Sequence, residues 1–104
     1  MYTVLVKYVL PKPTPRATMV DNFKAAEERF RSVPDLLRKY FAYDEAEHTG
    51  HSVYLWKSEK AARDFFNDEF IALFKEKFGT TPELFYVDTL MVVDNEAGHT
   101  TLNG

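Results

Sequence analysis

Leu36–Glu47 (LLRKYFAYDEAE) decides how this chain folds. Propensity alone leaves it open to helix or strand. Pro34 just before it and the turn signal Thr49-Gly50 just after it favour a strand running into a hairpin. His51–Lys57 (HSVYLWK), β-branched and aromatic, is then the second arm.

The other elements fall on either side of that hairpin. Tyr2–Leu10 (YTVLVKYVL) reads as a strand, stopped by the prolines of Pro11–Pro15 because proline donates nothing to a ladder. Thr18 and Asp21 fit a capping box that opens a helix. Phe23, Ala26, Glu27 and Phe30 give that helix an apolar stripe, interrupted at Glu27. Val33-Pro34 ends it. Ser58 caps a second helix with Ala61, Ala62, Phe65 and Phe66 on one face, and Asn67-Asp68 interrupts it. Phe70, Leu73, Phe74 and Phe78 line a further short helix that Gly79 closes. Glu83–Val93 (ELFYVDTLMVV) is the last strand. Residues 1–95 therefore form a single domain, and the polar residues 96–104 read as a flexible C-terminal tail. The class is α+β, in the ferredoxin-like order β-α-β-β-α-(α)-β. That order makes a four-stranded antiparallel sheet with helices on one face.

Composition narrows the function. The 104 residues carry a net charge of -3, which disfavours a nucleic-acid partner. Neither inner strand has the aromatic and basic signature of an RNA-binding sheet. The absence of cysteine removes disulfides, a thiolate nucleophile and thiolate metal ligands. No G-x-G-x-x-G or Walker loop supports nucleotide binding. The longest apolar run, Tyr2–Leu10, contains Lys7, is too short for a bilayer and lacks the marks of a signal peptide. The expectation is a cytoplasmic protein with no membrane partner.

Nine phenylalanines, six tyrosines and one tryptophan make up 15% of the chain. Both faces of the strands carry them. Val53 and Leu55 oppose Tyr54 and Trp56, and Leu84 and Tyr86 oppose Phe85 and Val87. Helices cover one face only, and the other would be a larger apolar patch than monomers expose. A homodimer through the uncovered sheet face would hide it.

Three stretches carry a family resemblance: Val33–Phe41 (VPDLLRKYF), Val53–Ala62 (VYLWKSEKAA) and Asp88–Asn95 (DTLMVVDN). Over about residues 2 to 95 the chain resembles the YdhR-like monooxygenases of the dimeric α+β barrel superfamily, near the antibiotic-biosynthesis monooxygenases. The resemblance implies a homodimer of face-to-face sheets, with a pocket between sheet and helices in each subunit. It implies an oxidoreductase that oxidises a small aromatic or polyketide-like compound with O₂ and no cofactor or metal. Trp56 matches the tryptophan that ends the third strand in these relatives, and similar members carry a lysine at Lys39. One departure stands out: the Gly-Gly loop of the family reads Thr49-Gly50-His51-Ser52 here. No histidine lies between Glu59 and Phe78, which disfavours the haem-degrading relatives that use a helix histidine as the iron ligand.

Oxygenation without a cofactor needs ring-stacking walls, a base, and a donor or cation beside the developing anion. Tyr54 and Trp56 supply ring and donor on one strand face, or else pack in the core or interface. Lys39 meets an anion, or guards a sheet edge. His51 is a base near neutral pH, or an exposed turn residue. Tyr8 points a hydroxyl into the cavity, or lies in the interface. Asp88 interrupts an apolar strand and pairs with Lys39 or Arg38, or orients a polar group. His48 and His51 lack the third ligand a metal needs. The rival class is a non-catalytic small-ligand-binding or structural homodimer, and an isomerase or lyase would use the same base without O₂.

Overall fold

The structure, a computed structural model, describes residues 1–102. Strand β1 (Tyr2–Val9) leads to helix α1 (Arg16–Arg31), then to the hairpin β2 (Leu36–Asp44) and β3 (Thr49–Trp56). Helices α2 (Glu59–Phe65) and α3 (Asp68–Phe78) follow, then β4 (Glu83–Asp88), β5 (Met91–Asp94) and β6 (His99–Leu102). The fold is α+β: β2-β3-β1-β4 form a four-stranded sheet, with every neighbouring pair antiparallel. Among the described residues no helix is long and apolar enough to cross a membrane.

The core lies on one face of that sheet. Val4, Val6 and Tyr8 of β1 and Tyr54 and Trp56 of β3 are buried against Met19 of α1, Ala62 of α2 and Phe66 just after it. Their pleat partners Leu5 and Val9 point the other way and are exposed. Phe85 and Val87 of β4 are exposed in the same manner.

Local chemistry sets the helix ends. Ser58 accepts from the Ala61 N–H and Asn67 from the Phe70 N–H, so each caps a helix from its own side chain. Gly79 closes α3 in the left-handed region at φ 71, where glycine carries no steric penalty. The start of α1 differs from the sequence reading. The helix begins at Arg16, after Pro15 at φ -60 and ψ 148, and Thr18 lies inside its first turn. The cap comes from elsewhere: the Glu45 carboxylate in the β2–β3 turn accepts the Arg16 N–H at 2.6 Å.

The last strand also differs. The single run Glu83–Val93 is two strands, because β4 exhausts its partner where Asp88 faces Tyr2, the first residue of β1. The chain then leaves the sheet and pairs with itself. β5 and β6 form a hairpin in which Asp94 accepts the Ala97 N–H and Gly98 turns at φ 74. Residues 99–102, read as tail, are thus a strand, and 103–104 lie outside the described residues.

Strict alternation along β2 would put Leu37 on the face of Lys39 and Phe41, but a bulge intervenes. Leu36 faces Trp56 and Lys39 faces Tyr54, so three residues of β2 span two of β3. Leu36, not Leu37, therefore shares the inner face with Lys39 and Phe41.

Gly50 is the tightest point of the hairpin. A Cβ there would run into the Tyr8 ring, which lies directly over the β3 backbone. Gly50→Ala is expected to displace that ring and destabilise the fold by about 1–3 kcal/mol. Urea unfolding checks this, with a loss under about 0.5 kcal/mol as the contrary result.

Candidate functional site

The inner face of β3 reads Trp56, Tyr54, Ser52 and Gly50, a run of falling size. At the large end the rings interlock. Tyr54 stacks on Trp56 with centroids 6.0 Å apart and planes 3° apart, and the Phe66 ring meets Tyr54 edge-on at 4.9 Å. At the small end space remains. A cavity of about 130 Å³ opens there between the sheet, α1 and α3. Phe23, Phe30, Phe41, Phe74 and Phe78 form most of its apolar wall, with Tyr8, Ser52 and Tyr54 on the floor. An apolar cavity of roughly 150 Å³ takes up one benzene, so this one suits a single ring.

Lys39 is the unusual group. β2 is an edge strand, yet the Lys39 side chain turns inward rather than out to water. Its Nζ lies 3.4 Å from the Phe30 centroid, 3.8 Å from Phe41 and 4.6 Å from Tyr54. Burial, and then the positive charges of Arg29 and Lys77, push its pKa down to about 6. The three ring faces act in the opposite sense, since their quadrupoles favour the cation. Burial is the larger effect for an amine that no carboxylate contacts within ion-pair distance among the described residues.

The tyrosines move the other way. Burial, with a smaller contribution from Tyr43, raises Tyr8 to about 12, and burial raises Tyr54 further. Both hydroxyls stay protonated near neutral pH and serve as donors, not bases. The lining contains Arg29, Lys39 and Lys77 but no carboxylate. Arg29 and Lys77 are exposed, and they stand over the Phe30 and Phe78 rings at 5.0 and 5.4 Å. A shallow groove along the β2 edge shares Phe30, Lys39 and Phe41 with the cavity and adds Leu36, Leu37, Arg38 and the Glu27–Arg31 pair.

Of the six residues singled out in the sequence, three meet here: Lys39, Tyr8 and Tyr54. Trp56 sits one ring behind Tyr54, fully buried, and its indole Nε1 has no hydrogen-bond partner among the described residues. His51 projects from the opposite face of β3, because it alternates with Ser52 in the pleat. Asp88 is exposed at the far end of the sheet, opposite Tyr2. The aspartate that pairs with Arg38 is Asp94, at 2.9 Å. Among the described residues no three His, Asp or Glu side chains group as metal ligands.

Sequence reasoning missed Arg29 and Lys77. Each adjoins a cavity phenylalanine, Phe30 or Phe78, on the flank of an apolar helix stripe, and that flank position was the available signal. The phenylalanines themselves look the same in sequence whether they fill a core or wall a cavity.

No family model and no curated protein matches the chain.

Lys39 ties stability to pH. Its folded pKa of about 6 lies below the unfolded value near 10.4, so the unfolded chain binds more protons between them. Its contribution to stability therefore rises with pH from about 6 to about 10. Lys39→Met is expected to remove that contribution and to stabilise the fold at pH 6 by on the order of 1 kcal/mol. Parallel urea titrations of both proteins across that range measure it. Identical pH slopes would show an ordinary lysine.

Proposed function

We propose that the chain forms a homodimeric α+β barrel whose cavity oxidises a small aromatic diol with O₂, without a bound cofactor. The observation that carries this reading is one primary amine held among ring faces in a ring-sized cavity free of carboxylates. A hydroquinone fits that space as a planar body. The Lys39 amine, depressed toward neutrality by its surroundings, takes a phenolic proton. The resulting ammonium stays beside the phenolate and stabilises it. Tyr8 and Tyr54, held protonated, donate toward the ring oxygens.

The phenolate then gives electrons to O₂ and a carbon–oxygen bond forms at a ring carbon. One oxygen atom remains on the ring as a hydroxyl group and the other leaves as water. The hydrogens of that water come from the two hydroxyls of the diol, so the ring ends as a hydroxyquinone. O₂ is the only oxidant required. Trp56 backs Tyr54 in this reading, while His51 and Asp88 stand outside the reaction.

The sheet order β2-β3-β1-β4 agrees with a ferredoxin-like connection, and with the YdhR-like resemblance of the sequence. Two exposed apolar surfaces support the dimer. One is the outer sheet face with Leu5, Val9, Tyr40, Phe85 and Val87. The other is the β5–β6 hairpin, which exposes Met91, Val93 and Leu102. A lone two-stranded hairpin is marginal in water, so a second copy packed against it supplies the burial it lacks. The Arg38–Asp94 ion pair ties this hairpin to β2.

Oxygen uptake with hydroquinone tests the chemistry. One labelled oxygen atom from ¹⁸O₂ is expected in the product, and Lys39→Met should lower the rate by about 100-fold. The rate should rise with pH through about 6 as Lys39 loses its proton. Hydroquinone binding without uptake would favour the non-catalytic binder, and full activity in Lys39→Met would remove the base.

Sedimentation equilibrium tests the assembly. A dimer is expected at micromolar concentration, with Leu5→Glu combined with Phe85→Glu giving a folded monomer. A monomeric native protein would overturn the dimer.

A further inference from the structure

We propose that the ligand of the cavity is an aromatic carboxylate, with its ring inside the phenylalanine wall and its carboxylate on Arg29 and Lys77 at the mouth. This rests on the reading of the cavity as a ligand site, and not on the oxygen chemistry.

Three basic side chains from three elements meet at one apolar hole. Arg29 comes from α1, Lys39 from β2 and Lys77 from α3. The lining offers no acid to balance them. Of the other lysines and arginines, four do pair with an acid: Arg31 with Glu27, Arg38 with Asp94, Lys60 with Asp64 and Arg63 with Glu59. Like charges gathered at an apolar wall disfavour one another, and Lys39 feels both Arg29 and Lys77. An anion at the mouth removes that repulsion.

The positions divide the ligand into two parts. Lys39 lies within the ring cluster, so the reacting part of the ligand belongs beside it. Arg29 and Lys77 are exposed, so the anion they hold keeps some of its hydration. Arginine presents a planar fork matched to a carboxylate, and lysine adds a point charge. A cavity of about 130 Å³ leaves room for one ring and places any substituent at the opening. A monocyclic aromatic acid meets all of these conditions at once.

The test is calorimetric titration, under argon, of a dihydroxybenzoate and of its neutral carboxamide. Argon keeps binding apart from turnover. The acid is expected to bind about tenfold tighter than the amide at low ionic strength, an advantage that salt should erode. Arg29→Gln combined with Lys77→Gln should bring the acid down to the affinity of the amide. Both sites are exposed, and a circular dichroism melt checks that the double variant folds. Equal affinities in the native protein, a preference that survives the double variant, or no binding of either compound would overturn the proposal. Preferential binding of the acid with no oxygen uptake would sink the oxygenase reading and leave this one standing. Uptake with neutral hydroquinone and no preference for the acid would do the reverse.

Discussion

The decline in side-chain size along the inner face of β3 governs this structure. Trp56 and Tyr54 fill the space under the helices, whereas Ser52 and Gly50 cannot. The rings at one end set how far the helices stand from the sheet, and that spacing continues to the other end where the strand has nothing large to fill it. Tyr8 takes part of the gap by lying over Gly50, with Phe74 edge-on to it at 4.9 Å. The remainder is the cavity. Tyr54 sits at the boundary: stacked on Trp56 behind, it presents its own ring to the open side. The packed half of the core and the open half are joined at Tyr54, whose ring stacks on buried Trp56 on one side and lines the cavity on the other.

That arrangement carries two local energetic penalties. The Trp56 Nε1–H is buried without a partner, which costs about 1–3 kcal/mol. Lys39 is half-buried, with no carboxylate within ion-pair distance among the described residues. The two differ in what they make possible. The indole is sealed away from the cavity, and its ring contacts with Tyr54, Phe65 and Phe66 offset the lost hydrogen bond. Lys39 faces the cavity, and a ligand can offset its penalty by presenting an anion beside it. A group that is unfavourable in the free protein and favourable with ligand bound marks a binding site more securely than one content in both.

Much of this was legible in the sequence, and the failures share a cause. Strand alternation placed Ser52, Tyr54 and Trp56 on one face, the Ser58 cap marked the start of α2, and Asn67-Asp68 marked the break before α3. These are local signals. The α1 cap was misread because its acceptor, Glu45, lies 29 residues away in another turn. The break after Asp88 depends on where β1 begins, which the apolar run Met91-Val92-Val93 does not reveal. One signal was available and unused. Asp94 accepts from the Ala97 N–H before a left-handed Gly98, just as Asp44 accepts from the Glu47 N–H before a left-handed His48. The two hairpin turns are built alike, and the first could have pointed to the second. Arg29 and Lys77 stayed hidden because convergence of three elements is a property of the fold, not of any segment.

The bulge at Leu37 connects these strands of argument. Leu36 packs inward against the Trp56 end of the core. Strict alternation from Leu36 would send Arg38 and Tyr40 inward and Lys39 out to solvent. The extra residue reverses the phase, so that Lys39 and Phe41 join Tyr54, while Arg38 and Tyr40 turn outward, where Arg38 meets Asp94 of the β5–β6 hairpin. A single irregularity thus assigns the amine to the cavity and the guanidinium to the outer surface. It also separates the two surfaces on which function would depend. The cavity lies wholly on the helix side of the sheet, and the apolar face that a second copy would cover lies wholly on the other. The same strands can then serve both without any side chain being shared between them.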